Sequence, residues 1–148
     1  MSLAFQHSPG DVIRWLLVQL GLGSSPVLSA VWPVYNAMEP SMPDDCITTY
    51  TRSPRDDGRA MADGEEFRHY GVQIRVRAAD EVTGARKAET IRQVLAEAVY
   101  LDVVTIGAVS YLVPCFCGND IVYLGKDTSV SRRSLFTLNG DAAIRRTV

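Results

Sequence analysis

The stretch that decides the fold is FRHYGVQIRVRA, residues 67–78. It alternates strictly, so that Ile74 and Val76 point to one side of an extended chain while Arg75 and Arg77 point to the other. A period of two is typical of a strand that has one face in the core and one polar face. The segment therefore predicts a strand whose polar side carries two arginines.

The segment GARKAETIRQVLAEAVYL, residues 84–101, has the period of a helix instead. Its apolar residues recur at spacings of three and four and form one stripe: Ala85, Ala88, Ile91, Val94, Leu95 and Ala98. We expect Ile91 and Leu95 to cover the apolar side of the preceding strand. A sheet with a helix packed on it is therefore the nucleus of the fold.

Signals for helix ends lie at both ends of the first predicted helix and before the second. Ser8 followed by Pro9 predicts the start of a first helix, because serine caps helices and proline suits their first position. Gly21 is placed to end that helix. Asp80 or Thr83 is expected to cap the helix at 84–101.

Further apolar stretches predict the remaining strands, at residues 31–37, 46–52, 103–116 (bent near Pro114), 120–124 and 133–138. Pro33 makes the first an edge strand, because proline removes a hydrogen-bond donor from the ladder. Gly118-Asn119 is expected to be a turn, and 139–148 a polar tail. Because the strands cluster and only two helices are predicted, the fold class is α+β, a mostly antiparallel sheet with two helices packed on one face.

The chain of 148 residues fits one domain, and its 47% hydrophobic content is enough for an ordinary core. The segment 53–66 has many charges and two glycines, so we expect an exposed loop there. The formal net charge of −2 argues against a dedicated nucleic-acid binder. The charge is uneven, at −5 over residues 1–66 and +3 over residues 67–148, which is either chance or a pair of complementary surfaces.

Three cysteines without regular spacing do not form the framework of a secreted disulfide protein. The first apolar run is interrupted by Asp11 and Arg14, unlike a signal peptide, and no stretch approaches the length of a membrane helix. We expect synthesis in a cytoplasm and no membrane partner.

The residues that could carry catalysis or bind a metal each have a simpler interpretation. Cys115 and Cys117 are too closely spaced for a common zinc site, and a dyad of His69 with Cys46 has no support in the pattern. Pro43-Asp44 resembles the start of a nuclease motif, but the second carboxylate and the lysine are missing. The sequence therefore predicts no catalytic residue, no metal site and no cofactor.

Arg75 and Arg77 are the more informative polar residues, because they share one side of a strand. Either they keep that side soluble, or they meet carboxylates of another subunit in a partly dry interface. The candidate partners are the acidic residues in or beside the 53–66 segment: Asp56, Asp57, Glu65 and Glu66.

The order of these segments resembles the tail terminator proteins of long-tailed bacteriophages, also called minor capsid or tail completion proteins. The resemblance rests on MPDDCITTY with Pro43-Asp44, on YGVQIRVRA with Gln73 and Arg77, on the helix from about Ala85, and on SRRSLFTLN at residues 131–139. These segments occur in the family's order along nearly the whole chain.

The resemblance implies a single-domain α+β subunit (1–148) and a hexameric ring that ends the tail tube at the head-proximal side of the virion. It implies contacts with the tail tube protein and the head–tail connector protein, passage of DNA through the ring without specific binding, and no catalysis. Two alternatives stay open: another connector subunit of the neck or stopper kind, and a small cytoplasmic enzyme acting on a nucleotide or nucleic acid.

Overall fold

The structure is a computed structural model that describes residues 4–27, 31–59, 66–127 and 133–147, with the backbone alone at 54–59 and 66–68. Within these residues there are two helices and seven strands. In chain order they are α1 (Pro9–Gln19), β1 (Val34–Asn36), β2 (Cys46–Arg59), β3 (Glu66–Ala78), α2 (Glu81–Ala98), β4 (Asp102–Ile106), β5 (Val109–Gly118), β6 (Val122–Lys126) and β7 (Ser134–Arg146).

The strands form one sheet in the order β1-β2-β3-β7-β5-β4. β1 pairs with β2 in parallel, and every other described pair is antiparallel. One edge of β7 pairs with β3, while β5 and β6 follow one another along its other edge. The predicted α+β class with a mostly antiparallel sheet is thereby confirmed.

The alternation in β3 places its apolar side chains in the core, as predicted. Ile74 and Val76 are buried, and they belong to the same hydrophobic cluster as Ile91 and Leu95 of α2. Burial of an Ile or Leu side chain stabilises a fold by roughly 1.5–3 kcal/mol, so this cluster is a principal source of stability.

The predicted start and end of α1 and the predicted cap of α2 are confirmed, whereas α2 ends at Ala98 and not at Leu101. The Ser8 hydroxyl accepts a hydrogen bond from the Asp11 amide at 3.2 Å, and Gly21 follows α1 with a φ of 75°. Asp80, rather than Thr83, caps α2: its carboxylate accepts from the Thr83 amide at 2.9 Å. That bond lowers the pKa of Asp80, because it favours the charged carboxylate.

Three strand predictions are corrected. The stretch 103–116 is not one bent strand but a hairpin of β4 and β5, which turns at Gly107 with a φ of 62°. Gly118-Asn119 does not turn one strand back on the next, because β5 and β6 both pair with the same edge of β7. The expected tail at 139–148 is strand as far as Arg146, where β7 ends.

The strands also extend further than predicted into the segment 53–66. β2 continues to Arg59 and β3 begins at Glu66, so the two strands form a long antiparallel arm. Residues 60–65, the centre of the predicted loop, lie outside the described residues.

Candidate functional site

The side of β3 that carries Arg75 and Arg77 continues across its neighbours, because residues paired in an antiparallel ladder point the same way. We call this surface the polar face; its residues are Cys46, Thr48 and Tyr50 of β2, Gln73, Arg75 and Arg77 of β3, and Leu135, Thr137 and Asn139 of β7. It is the surface on which the sequence placed a subunit interface.

Arg77 is not exposed on this surface, since only 3% of its side chain is accessible. Its guanidinium donates to the carbonyl of Pro43 at 2.7 Å and to that of Asp44 at 3.3 Å, and it lies 3.8 Å from the Glu39 carboxylate. Arg77 is therefore bound within its own chain, and its role in the described subunit is to hold the segment that precedes β2.

A second buried arginine, Arg133, also holds this segment. Arg133 lies just before β7 and is 5% accessible; it donates to the Asp44 carboxylate at 2.7 Å and contacts the Met42 sulfur at 3.2 Å. The neighbouring Asp45 accepts a hydrogen bond from the Ala79 amide at 2.9 Å. The segment 39–45 is thus fastened over one end of the polar face.

Arg75 lies in a different environment, although it is only two residues from Arg77. Its side chain is 30% accessible, and its Nε lies 3.5 Å from the Glu39 carboxylate. Neither Arg75 Nε nor Glu39 Oε1 has a hydrogen-bond partner among the described residues, although both atoms are buried. The contact between these two buried atoms is therefore an ion pair without hydrogen-bond geometry.

The part of the polar face beyond Arg75 is only partly covered. Gln73 donates to the Thr137 hydroxyl at 2.9 Å, and Tyr50, Gln73 and Asn139 are half-buried. Burial raises the pKa of the Tyr50 phenol, with the Glu39 carboxylate adding to that effect and Arg75 opposing it. Aromatic, amide and guanidinium groups that are half-buried suit a protein interface.

The acidic residues predicted to meet these arginines lie on the arm. Asp56 belongs to β2 and pairs in register with Arg68, Asp57 follows it, and Glu66 begins β3. Their side chains, and Glu65 as a whole, lie outside the described residues. The structure therefore brings Arg75 and Arg77 together with Glu39, a residue that the sequence pattern did not single out.

Cys46 and His69, the two residues considered for a nucleophile dyad, lie at opposite ends of the paired strands β2 and β3. Cys46 pairs with Arg77, whereas His69 pairs with Arg55 near the other end of the strand, so the two are far apart. Burial raises the pKa of Cys46 to about 11, which keeps the thiol protonated near neutral pH.

Over the described ranges, no group of three His, Cys, Asp or Glu side chains is arranged to hold a metal ion. Cys115 is half-buried and Cys117 exposed, and both are free thiols. None of the described helices is long and apolar enough to cross a membrane.

The sequence is similar to one described protein family. A family model described as "Bacteriophage tail terminator protein" matches residues 16–128. No curated protein matches the sequence.

Two solved structures are similar over most of their length. A chain of "Virion of native gene transfer agent (GTA) particle" is 13% identical, with a TM-score of 0.49, over 88% of this chain and 84% of that chain. A second chain, which carries no functional name, is 16% identical, with a TM-score of 0.44, over 90% of this chain and 94% of that one. Both TM-scores are below 0.5, and the family is assigned from the family match over residues 16–128 alone. Because that match covers more than half of the 148 residues, the chain belongs to the bacteriophage tail terminator proteins, a structural virion family, and is a component of a phage tail.

Proposed function

We propose that copies of this chain form a closed ring, most simply of six, that ends the tail tube at its head-proximal side and joins it to the head–tail connector protein. The observation that carries the proposal is the family match over residues 16–128. The ring, its number and its two partners are what the resemblance to the tail terminator family implies. The subunit acts by shape and assembly and not by catalysis.

We infer that both helices cover the same face of the sheet, which leaves the polar face for assembly. The first turn of α1 donates a hydrogen bond to Thr51 at 3.0 Å, and α2 packs on the ring of Phe136. Thr51 and Phe136 pair in register with Val72 and Val76, which point to the same side of β3. This register supports one helical layer on that side of the sheet and places the polar face, which the 39–45 segment covers in part, on the other.

A closed ring needs two different surfaces that fit each other, because a head-to-tail contact repeats around the axis. We propose that the partly covered end of the polar face, around Tyr50, Gln73 and Arg75, is one of them. Arg75 supports this assignment, because 30% of its side chain is accessible and can meet a neighbour.

The second surface is proposed to be the arm of the neighbouring subunit, with its acidic residues Asp56, Asp57, Glu65 and Glu66. An arm of two long paired strands is a suitable element for reaching another subunit, because it is stiffer than a loop. The opposite charges of the two halves of the chain favour such a head-to-tail contact. Arg77 is assigned to holding the 39–45 segment, so the interface role is proposed for Arg75 and not for both arginines equally.

DNA is expected to pass through the ring without being bound specifically. The chain has a formal net charge of −2, and a lumen lined by many basic groups would hold phosphates and oppose passage. The ring would assemble in the host cytoplasm and remain in the virion at the head-proximal end of the tail.

The test is the charge reversal Arg75→Glu, compared with Arg86→Glu as a matched control on the exposed side of α2. We expect Arg75→Glu to leave the circular dichroism spectrum unchanged but to abolish ring formation in electron micrographs, so that tail tubes become overlong or fail to join heads. Arg86→Glu should assemble normally. Tails of normal length capped by Arg75→Glu would contradict the assignment of this interface.

A further inference from the structure

The segment that covers part of the polar face is held firmly at its two ends and weakly between them. The Ala37 amide donates to a carbonyl of β2 at 2.8 Å, and the two buried arginines described above bind residues 42–44. Between these ends lie residues 38–41, which we call the flap. Within the described part of the chain, the polar contacts of the flap are the two ion pairs of Glu39.

The Glu39 carboxylate lies over β2 on the polar face. Burial raises the pKa values of the Cys46 thiol and the Tyr50 phenol, and the charge of Glu39 raises both further, so the carboxylate is near both. Thr48 lies between these two residues on the same side of β2, and it pairs in register with Arg75. The flap therefore closes over the row that Thr48 and Arg75 form.

Three buried polar atoms meet under the flap without a hydrogen-bond partner among the described residues: Thr48 Oγ1, Arg75 Nε and Glu39 Oε1. Such atoms cost free energy, because they have lost the hydrogen bonds that water would form with them. Opening the flap would return water to all three. What keeps it closed is the pair of contacts from Glu39 to Arg75 at 3.5 Å and to Arg77 at 3.8 Å.

We propose that the flap is an autoinhibitory element: Glu39 occupies Arg75 in the free subunit, and the flap opens when a carboxylate of the neighbouring subunit takes the place of Glu39. One carboxylate replaces another on Arg75, so the exchange keeps that ion pair and releases the unpaired atoms. The inference rests on the proposed ring and adds the step that makes its interface available. Because binding to a minor state is weakened by the fraction that is competent, assembly depends on the fraction of open flaps.

The substitution Glu39→Gln keeps the size of the side chain and removes the charge that holds the flap. Arg77 retains the two carbonyls to which it donates, so residues 43 and 44 stay in place. The open fraction should rise roughly fivefold, the effect of losing a partly exposed ion pair. Glu81→Gln, at an exposed position of α2, is the matched control and should change nothing.

Thiol labelling measures the opening of the flap without any assembly. The probe is Thr48→Cys, in a chain whose Cys115 and Cys117 are replaced by serine, and buried Cys46 beside the firmly held part of the segment is the internal control. Methyl methanethiosulfonate is the reagent, and each rate is divided by the rate in urea. The thiol at position 48 should react at least about tenfold faster than Cys46, because local opening requires less free energy than global unfolding. Glu39→Gln should accelerate the first reaction roughly fivefold and leave the second unchanged.

Capping of tail tubes measures the competition, in chains that keep their own cysteines and therefore do not depend on the folding of Thr48→Cys. In electron micrographs of a concentration series, the concentration that caps half of the tubes should fall in Glu39→Gln by about the same factor as labelling rises. Circular dichroism confirms that each variant is folded.

Two results would overturn the proposal. Equal relative rates for the thiol at position 48 and for Cys46 would mean that the flap does not open separately from global unfolding. A capping concentration that is unchanged or higher in Glu39→Gln would mean that Glu39 does not compete with the neighbour. A wild-type chain that caps no tubes would instead refute the ring and with it this role of the flap, whereas the labelling rates report flap opening in either case.

Discussion

Replacing Arg77 by Met should destabilise the subunit itself, while Arg75→Met should act on assembly. The two residues share one face of β3 and one carboxylate, Glu39, but their side chains are 3% and 30% accessible. Removing a buried cation leaves its acceptors without a partner in a dry environment. Removing a partly exposed one lets water take its place.

The magnitude follows from the contacts that are lost. Arg77→Met leaves the carbonyls of Pro43 and Asp44 without their donor and Glu39 without the more buried of its two cations. Removing one partner of a buried ion pair lowers the free energy of unfolding by about 3–5 kcal/mol. Arg75→Met loses an ion pair at 3.5 Å in a partly solvated position, which costs under about 1 kcal/mol.

Urea unfolding followed by tryptophan fluorescence measures both free energies. A thermal melt gives a second measurement: for a chain of this size a loss of 1 kcal/mol lowers the melting temperature by roughly 2–4 °C. Arg77→Met should therefore melt roughly 10 °C below the wild type. Arg77→Lys is the matched control: it keeps the charge but loses the planar fork that reaches two carbonyls, so it should fall between the two. A loss under about 1 kcal/mol in Arg77→Met would refute the reasoning that Arg77 holds the 39–45 segment.

Two further outcomes are expected. Ile91→Ala, in the cluster between α2 and β3, should lower the free energy of unfolding by about 2–5 kcal/mol in urea; a change under about 0.5 kcal/mol would mean that α2 does not cover β3. At pH 8 a thiol reagent should modify exposed Cys117 rapidly but Cys46 only after unfolding. A pKa of about 11 leaves about one Cys46 thiol in a thousand ionised at that pH, and rapid labelling of Cys46 in the folded protein would contradict its burial.

The sequence predicted best those elements whose own residues carry a strong period. β3 and α2 have long apolar repeats, and the large side chains expected in the core, Ile74, Val76, Ile91 and Leu95, are buried, although Ala85 and Ala98 of the predicted stripe are exposed. The helix ends were equally clear, because capping is a local interaction between a side chain and amides within three residues of it. Ser8 and Asp80 both cap as expected.

The strands near the C-terminus were harder to predict, because their signals are weak. In β7 the buried positions after Leu138 are taken by Gly140, Ala142 and Ile144, and small residues hide the alternation that marks a strand. The β4–β5 hairpin turns at Gly107 within a continuous apolar stretch, so that only one glycine distinguishes two strands from one. Pairing along β7 then decides the positions of β5 and β6.

The polar face shows why the candidate site was predicted only in part. The period of β3 correctly put Arg75 and Arg77 on one side, but a period cannot say what covers that side. The segment 39–45 covers that side. Arg133 holds this segment through Asp44, which is 89 residues away in the sequence. Contacts between residues so distant in sequence leave no local pattern.

The same cover limits where a neighbouring subunit can bind. Moving along β3 from Arg77 to Gln73 leads from the end beneath Pro43 towards the half-buried Tyr50 and Asn139. A partner that uses the polar face must therefore approach from the Gln73 end, where Arg75 is the first cation that it meets. The carboxylate of Glu39 already offsets part of that charge, so the neighbour meets a cation that is partly neutralised within its own subunit. Assembly should for this reason be less sensitive to salt than a fully exposed ion pair would be, because less of the contact depends on unscreened charge.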